Sequence, residues 1–200
     1  DVKTIISEQD KELIDHPENK QIKVIRNGVN MDFFRPNPIQ EKEYDVVFTG
    51  NMAYPPNVDG AEFLVKDILP IVQQEIPDVK IIIAGATPTK KVKELKSKNV
   101  KVTGWVADIR ESYASSKVFI APMRIGTGLQ NKLLEAMAMK IPCVTTSLAN
   151  NALGASDKSN ILIGNTAAEL AAAIIFLLKD KVMNDQIAQA GHSYVAQNFD

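Results

Sequence analysis

The stretch 119-FIAPMRIGTGLQNKLLEAMAMKIPCV-144 decides how this chain folds. It continues an apolar run, Val118-Phe119-Ile120-Ala121, that Pro122 closes, as a buried strand and its end require. Arg124, Gly126 and Gly128 then make a turn. Residues 129–139 place Leu129, Leu133, Leu134, Met137 and Ala138 close to helical spacing, and Ile141-Pro142-Cys143-Val144 opens another apolar run. The unit is strand, glycine turn, helix, strand. A helix that opens at such a turn leaves its first N–H groups unpartnered, and its dipole favours an anion there. Glycines let a phosphate approach the backbone closely. Arg124 before the turn and Lys132 in the first helical turn supply two cations for one anion. Glu135 lies three residues past Lys132, on roughly the same face, where a carboxylate can accept hydrogen bonds from the vicinal hydroxyls of a ribose. Phosphates at the helix start and a ribose one turn along describe a nucleotide. The bland alternative is an ordinary α/β turn with a solvated Lys132–Glu135 pair worth about 0.2–0.5 kcal/mol.

Working outward, the same alternation recurs. Residues 45–49, 79–84, 100–103, 118–121, 141–144 and 160–163 read as strands, and residues 90–98, 108–115, 129–139, 166–179 and 180–197 as helices. A further long helix follows residue 56, capped by Asn57 or Asp59 and buried through Phe63, Leu64, Ile68, Leu69 and Val72. Residues 147–159 read as a polar loop. Strands that are apolar throughout predict a parallel sheet covered on both faces, hence a doubly wound, Rossmann-like α/β domain. Ligands bind beyond the carboxyl ends of such strands. Loops 50–57, 85–88, 104–106 and 122–128 all lie at those ends. Gly50-Asn51 is a glycine loop suited to a pyrophosphate, although it lacks the Gly-x-Gly-x-x-Gly of dinucleotide sites. Trp105 is either a ring packed at the rim or, with Val106, a surface for a nucleobase.

Residues 1–36 hold two short apolar runs, 2–6 and 22–25, around a polar helix predicted over 7–15, and then an Asn27-Gly28 turn. They are either the tail of another domain or a first unit of the same sheet. Residues 37–43 read as linker.

Composition narrows the class. Hydrophobic residues make up 45% and charged residues 24% of the 200, which is ordinary for a globular protein. A net charge of −1 gives no basic field for nucleic acid. One cysteine, Cys143, excludes an intrachain disulfide, fits a reducing compartment and reads as a small core hydrophobe. With only His16 and His192 besides, no metal site is expected. The longest apolar tract, residues 170–178, is too short to span a membrane, which makes a cytoplasmic location the expectation. The chain begins with Asp rather than Met, as an excerpt of a longer protein does.

The run Arg124-Ile-Gly-Thr-Gly-Leu-Gln-Asn-Lys132-Leu-Leu-Glu135-Ala-Met-Ala-Met-Lys-Ile-Pro142-Cys-Val144 closely resembles the donor-site motif of GT-B glycosyltransferases, most of all the retaining group called group 1 or family 4. Residues 7–10 and 24–36 also match the phrases that close the N-terminal domain of that family and begin its linker. Two departures stand out: Thr127 occupies the position of a frequent first Glu, and Lys140 replaces the usual glycine after the helix. The resemblance implies a hexosyltransferase that moves sugar from a nucleotide-sugar donor to a hydroxyl in surface or secreted glycan assembly, without a cofactor or a metal. It implies that residues 1–36 end an acceptor-side domain and that residues 37–200 are the donor-binding domain. A glycan or lipid-linked acceptor, and any peripheral membrane contact, would then belong to the N-terminal domain. Arg124, Lys132 and Glu135 carry over as catalytic-site residues. Donor contacts fall on Gly50, Asn51, Trp105, Val106, Thr127, Gly128 and Leu129, with Glu135 on the ribose. The rival readings are a GT-B nucleotide-sugar epimerase and a non-catalytic nucleotide-sugar-binding module.

Overall fold

A computed structural model describes residues 2–6, 11–25, 27–37, 39–126 and 128–200. Six parallel strands form one sheet: β3 (Tyr44–Thr49), β4 (Ile81–Ala84), β5 (Val100–Val102), β6 (Ser116–Ala121), β7 (Cys143–Thr145) and β8 (Leu162–Ile163), ordered β5-β4-β3-β6-β7-β8. Val47 pairs with Ile82 on one side and Phe119 on the other, and Ile120 pairs with Val144. Successive side chains of a strand point to opposite faces, and Val46 to Thr49 and Val118 to Ala121 are all buried, so both faces are covered. The chain runs outward from β3 to β5 and then returns to lay β6 on the other side of β3. That reversal opens a crevice at the carboxyl ends of β3 and β6.

The helices follow from their caps and apolar stripes. After β3, α1 (Pro55–Phe63) starts on two prolines, whose missing N–H groups a helix start does not need. Neither Asn57 nor Asp59 caps it, contrary to expectation, because both lie inside the helix; Tyr54 is the N-cap and makes no side-chain cap bond. Pro70 cannot donate to the Lys66 carbonyl, and residues Leu64–Ile68 widen into a π-turn in which the Leu69 N–H bonds back to the Leu64 carbonyl. The helix resumes as α2 (Leu69–Glu75), and Phe63, Leu64, Ile68, Leu69 and Val72 are buried as expected.

The lysine-rich segment gives only the single turn α3 (Lys90–Lys93), shorter than the predicted 90–98 even though Lys90 pairs with Glu94 four residues on. Asp108 caps α4 (Ile109–Ala114), accepting from the Arg110 N–H at 2.9 Å. After β6 comes α5 (Asn131–Ala138), then β7. The predicted loop 147–159 contains a helical turn, α6 (Ser147–Asn150), capped by Thr146. Thr166 and Glu169 form a reciprocal capping box at α7 (Ala167–Lys179), and Asp180 caps α8 (Lys181–Asn198). Helix α7 packs on α2, and α8 packs on α5.

The first residues form a separate parallel pair, β1 (Thr4–Ile5) with β2 (Lys23–Val24), bridged by a 3₁₀ turn (Asn19–Gln21). They do not extend the six-stranded sheet. Residues 7–10, the start of the helix predicted over 7–15, lie outside the described residues. The chain then returns to the main body. The Val29 N–H donates to the Phe199 carbonyl at 2.8 Å, and Val29 is buried.

Candidate functional site

A cleft of about 450 Å³ occupies the crevice where strand order reverses. Its walls come from the ends of four strands and from α5: Thr49, Gly50 and Asn51 after β3, Gly85 and Ala86 after β4, Trp105 and Val106 after β5, Leu129 after β6, and Asn131, Lys132 and Glu135 on the helix. A larger groove of about 1170 Å³ lies at the opposite, amino ends of the strands, among Lys42, Lys117, Pro142 and Lys181. There Lys117 pairs with Asp45 and Lys181 with Asp185, and no loop at a switch point reaches it. The smaller cleft is the candidate site.

Glycine is required where two loops meet. A Cβ on Gly85, at φ +144°, would stand 1.8 Å from the Gly50 carbonyl oxygen, so backbone lies directly on backbone. A Cβ on Gly50 would stand 2.6 Å from the Asn57 side-chain nitrogen and 3.0 Å from the Lys132 ammonium. Hydrogen bonds from Gly50 N to Ala84 O, Met52 N to Ala86 O and Gly85 N to Gly104 O join the three loops into one floor.

Lys132 enters this floor from α5. Its ammonium donates to Asn57 Oδ1 at 2.5 Å and lies 4.7 Å from the centroid of the Phe48 ring. Asn57, itself buried, donates in turn to the Asn51 carbonyl at 2.9 Å. Burial lowers the Lys132 pKa to about 8, against a smaller upward pull from Glu135. The Lys132 ammonium is thus bonded to a neutral amide beside an aromatic ring, with the Glu135 carboxylate acting on it from one turn away. The N-cap of α5, Gln130, makes no side-chain cap bond.

Glu135 lines the cleft one turn further on and accepts from the Tyr113 hydroxyl at 2.7 Å. Burial raises its pKa, while the Tyr113 bond and the Lys132 charge oppose that rise. Tyr113 is fully buried, and its hydroxyl also meets Thr49 Oγ1 at 2.8 Å. Trp105 leaves 74% of its surface exposed at the rim, with Val106 beside it.

The structure thus brings Gly50, Asn51, Trp105, Val106, Leu129, Lys132 and Glu135 together. Gly128, at φ +86°, lies in the turn leading to them. Thr127 lies outside the described residues. Arg124 is not brought in: its guanidinium grips Asp59 through two bonds, of 2.6 and 3.1 Å, and stacks 4.2 Å over the Phe63 ring. Of the two cations expected at one site, Lys132 lines the cleft and Arg124 does not in this conformation. Three contributors were not anticipated from sequence: Asn57 as the partner of Lys132, and Thr49 and Tyr113 behind Glu135. Tyr113 stands four residues after Ile109 in the helix predicted over 108–115, and a tyrosine on the inward face of a helix needs a hydroxyl partner, so that signal was available. Among the described residues, no group of three or more His, Cys, Asp or Glu side chains is placed to hold a metal ion. No helix there is long and apolar enough to cross a membrane.

Comparison with known proteins agrees with this geometry. A protein from the cps region of Klebsiella pneumoniae, an uncharacterised protein of 44.6 kDa, is 28% identical over 165 residues, covering 78% of this chain and 42% of that protein. HepE from Anabaena, solved in complex with UDP and glucose, superposes with a TM-score of 0.82 at 19% identity over 98% of this chain and 58% of its own. This chain thus spans about half the length of such relatives. The C-terminal domain of LpcC, a glycosyl transferase group 1 family protein from Francisella tularensis, superposes with a TM-score of 0.69 at 20% identity, covering 86% of this chain and 98% of that domain. The fold is therefore that of the Rossmann-like C-terminal domain of GT-B glycosyltransferases. The family model described as glycosyl transferases group 1 matches residues 43–180, and the chain belongs to that family.

Proposed function

We propose that this chain is the donor-binding part of a retaining hexosyltransferase that takes sugar from a nucleotide-sugar donor to a hydroxyl acceptor. The observation that carries the reading is the pairing of an anion-ready Lys132 with a carboxylate, Glu135, one helical turn away in the switch-point cleft. In this reading the diphosphate lies at the start of α5 over Gly50, Asn51, Gly128 and Leu129, and Thr127 is a further proposed donor contact. Lys132 stabilises the charge that builds on the departing diphosphate, in a site already organised to receive it. Glu135 holds the ribose hydroxyls, and the base lies against Trp105 and Val106. Arg124 joins the phosphates by releasing Asp59, an exchange of one partly exposed ion pair for another.

Residues 1–36 are the end of the acceptor-side domain and its linker, and residues 37–200 are the donor domain. The separate β1–β2 pair supports that division. The acceptor, a glycan or lipid-linked glycan, and any membrane contact belong to the acceptor-side domain, in the cytoplasm. The cps-region relative supports a role in surface polysaccharide assembly, and the UDP bound by HepE makes UDP the first donor nucleotide to test.

Titration of UDP, GDP, ADP and TDP against the chain tests the reading. One of them is expected to bind, with Lys132→Ala weakening that diphosphate more than the bare nucleoside by about 1.5–3 kcal/mol. Equal loss for both ligands would place the anion elsewhere. Product analysis with the full-length protein distinguishes transfer from epimerisation.

A further inference from the structure

Behind Glu135 runs a directional chain of hydrogen bonds whose middle member, Tyr113, is fully buried. Tyr113 is held between the rings of Phe34 and Phe119, at centroid distances of 6.5 and 5.6 Å. Its oxygen is 2.7 Å from Glu135 Oε2 and 2.8 Å from Thr49 Oγ1, whereas the Lys132 carbonyl, at 3.5 Å, is too distant to compete. A carboxylate can only accept, so the phenol proton goes to Glu135. The Tyr113 oxygen is then left as an acceptor, and the Thr49 hydroxyl supplies its proton. The order Thr49 to Tyr113 to Glu135 follows from donor and acceptor counts alone. It connects the end of β3, through α4, to the middle of α5.

A glutamate on a helix face normally samples several rotamers, and a ligand that uses it must restrict them on binding. Here one oxygen of Glu135 is fixed beforehand by a side chain with no freedom of its own. Oε1 carries no bond from Tyr113.

We infer that Tyr113 is a positioning residue for ribose recognition: by holding Oε2 of Glu135 it presents the carboxylate to the vicinal hydroxyls of a ribonucleoside diphosphate and sets the preference for ribose over deoxyribose. The inference rests on the proposed donor-site reading. The Tyr113 bond also keeps Glu135 ionised against the opposing effect of burial, so removing it extends the acid range in which the preference fails.

The test is calorimetric titration of UDP and 2′-deoxy-UDP into the parent, Tyr113→Phe, Glu135→Ala and the double variant, between pH 5 and 8. The parent should prefer UDP. Glu135→Ala should abolish the preference, and Tyr113→Phe should reduce it several-fold while changing 2′-deoxy-UDP affinity little. Tyr113→Phe should also move the acid loss of preference to higher pH. In the Glu135→Ala background, Tyr113→Phe should change nothing further. A folded Tyr113→Phe protein with the parental preference and pH profile would overturn the role of Tyr113 alone. A parent that binds UDP without preferring ribose would overturn the ribose role of Glu135 and this inference with it. If Tyr113→Phe does not fold, Thr49→Val removes the donor to the phenol oxygen; a smaller loss of preference supports the relay, and an unchanged preference overturns it.

Discussion

Lys132 sits buried in the cleft at a cost that the proposed diphosphate would offset. An ordinary lysine titrates near 10.5, and burial brings this one to about 8, so the folded chain releases a proton that the unfolded chain keeps between those values. Stability of the unliganded chain should therefore rise with pH across the window from about 8 to 10.5, because the unfolded state binds more protons there. Ligand binding runs the other way. A diphosphate favours the charged ammonium and raises its pKa, so binding takes up a proton above about pH 8 and affinity falls as pH rises. Titrations of UDP at pH 8.5 in buffers of different ionisation heat should show that uptake, and Lys132→Met should abolish it. Proton release, or equal uptake by the variant, would overturn the assignment. Asn57 belongs to the same account. Its side chain bridges the Asn51 carbonyl and the Lys132 ammonium, so Asn57→Ala leaves a buried charge one bond short and should cost about 1–3 kcal/mol of stability.

Helix α5 ends just before Lys140, where the motif that the sequence resembles has a glycine, and the geometry shows what a side chain there costs. Lys140 N–H donates to the Met137 carbonyl and Ile141 N–H to the Ala136 carbonyl, the paired bonds of a Schellman motif. That motif needs a left-handed residue, and Lys140 adopts φ +57°. A side chain there is strained by about 1 kcal/mol, so Lys140→Gly should stabilise the chain by somewhat less than that once the entropy of the unfolded glycine is counted. Thermal or denaturant melting checks it; a loss of stability would mean that the Lys140 side chain contributes contacts outweighing the strain. Gly85→Ala should do the opposite, since its Cβ collides with the Gly50 carbonyl and no flexible side chain can yield; a loss of about 3 kcal/mol or more, with the cleft floor displaced, is expected. At this scale the sequence was readable wherever period and cap agreed, as in strands 45–49 and 118–121 and in the helices begun by Asp108, Thr166 and Asp180. It misled where a local signal had a tertiary use: Asn57 resembles a cap but is engaged by Lys132, seventy-five positions away. Residues 147–150 look like loop because their helical turn rests on one threonine cap, which also donates to the Met123 carbonyl.

At the scale of the whole molecule, the order β5-β4-β3-β6-β7-β8 explains why residues far apart in sequence make one site. Parallel strands were legible in the apolar runs, and with them the convergence of four loops at one end. Side-chain direction was not: Arg124 sits beside the right turn yet points to Asp59, a choice that depends on where α1 lies across the crevice. The cleft is walled by the strand ends and α5, while Trp105 stands exposed at its rim. Glycosyl transfer needs water kept from the reactive bond and an acceptor hydroxyl held against the sugar, which a closing second domain supplies. Under the proposed division, these 200 residues should bind the nucleoside diphosphate, with the melting temperature rising as ligand is added, yet transfer no sugar. The longer protein that also carries the acceptor-side domain should do both. The measurement is a paired assay of the two proteins with the same UDP-sugar, following release of UDP and the fate of the sugar. Efficient transfer by residues 1–200 alone would show that the acceptor site lies within the domain described here, and would overturn the division at residue 36.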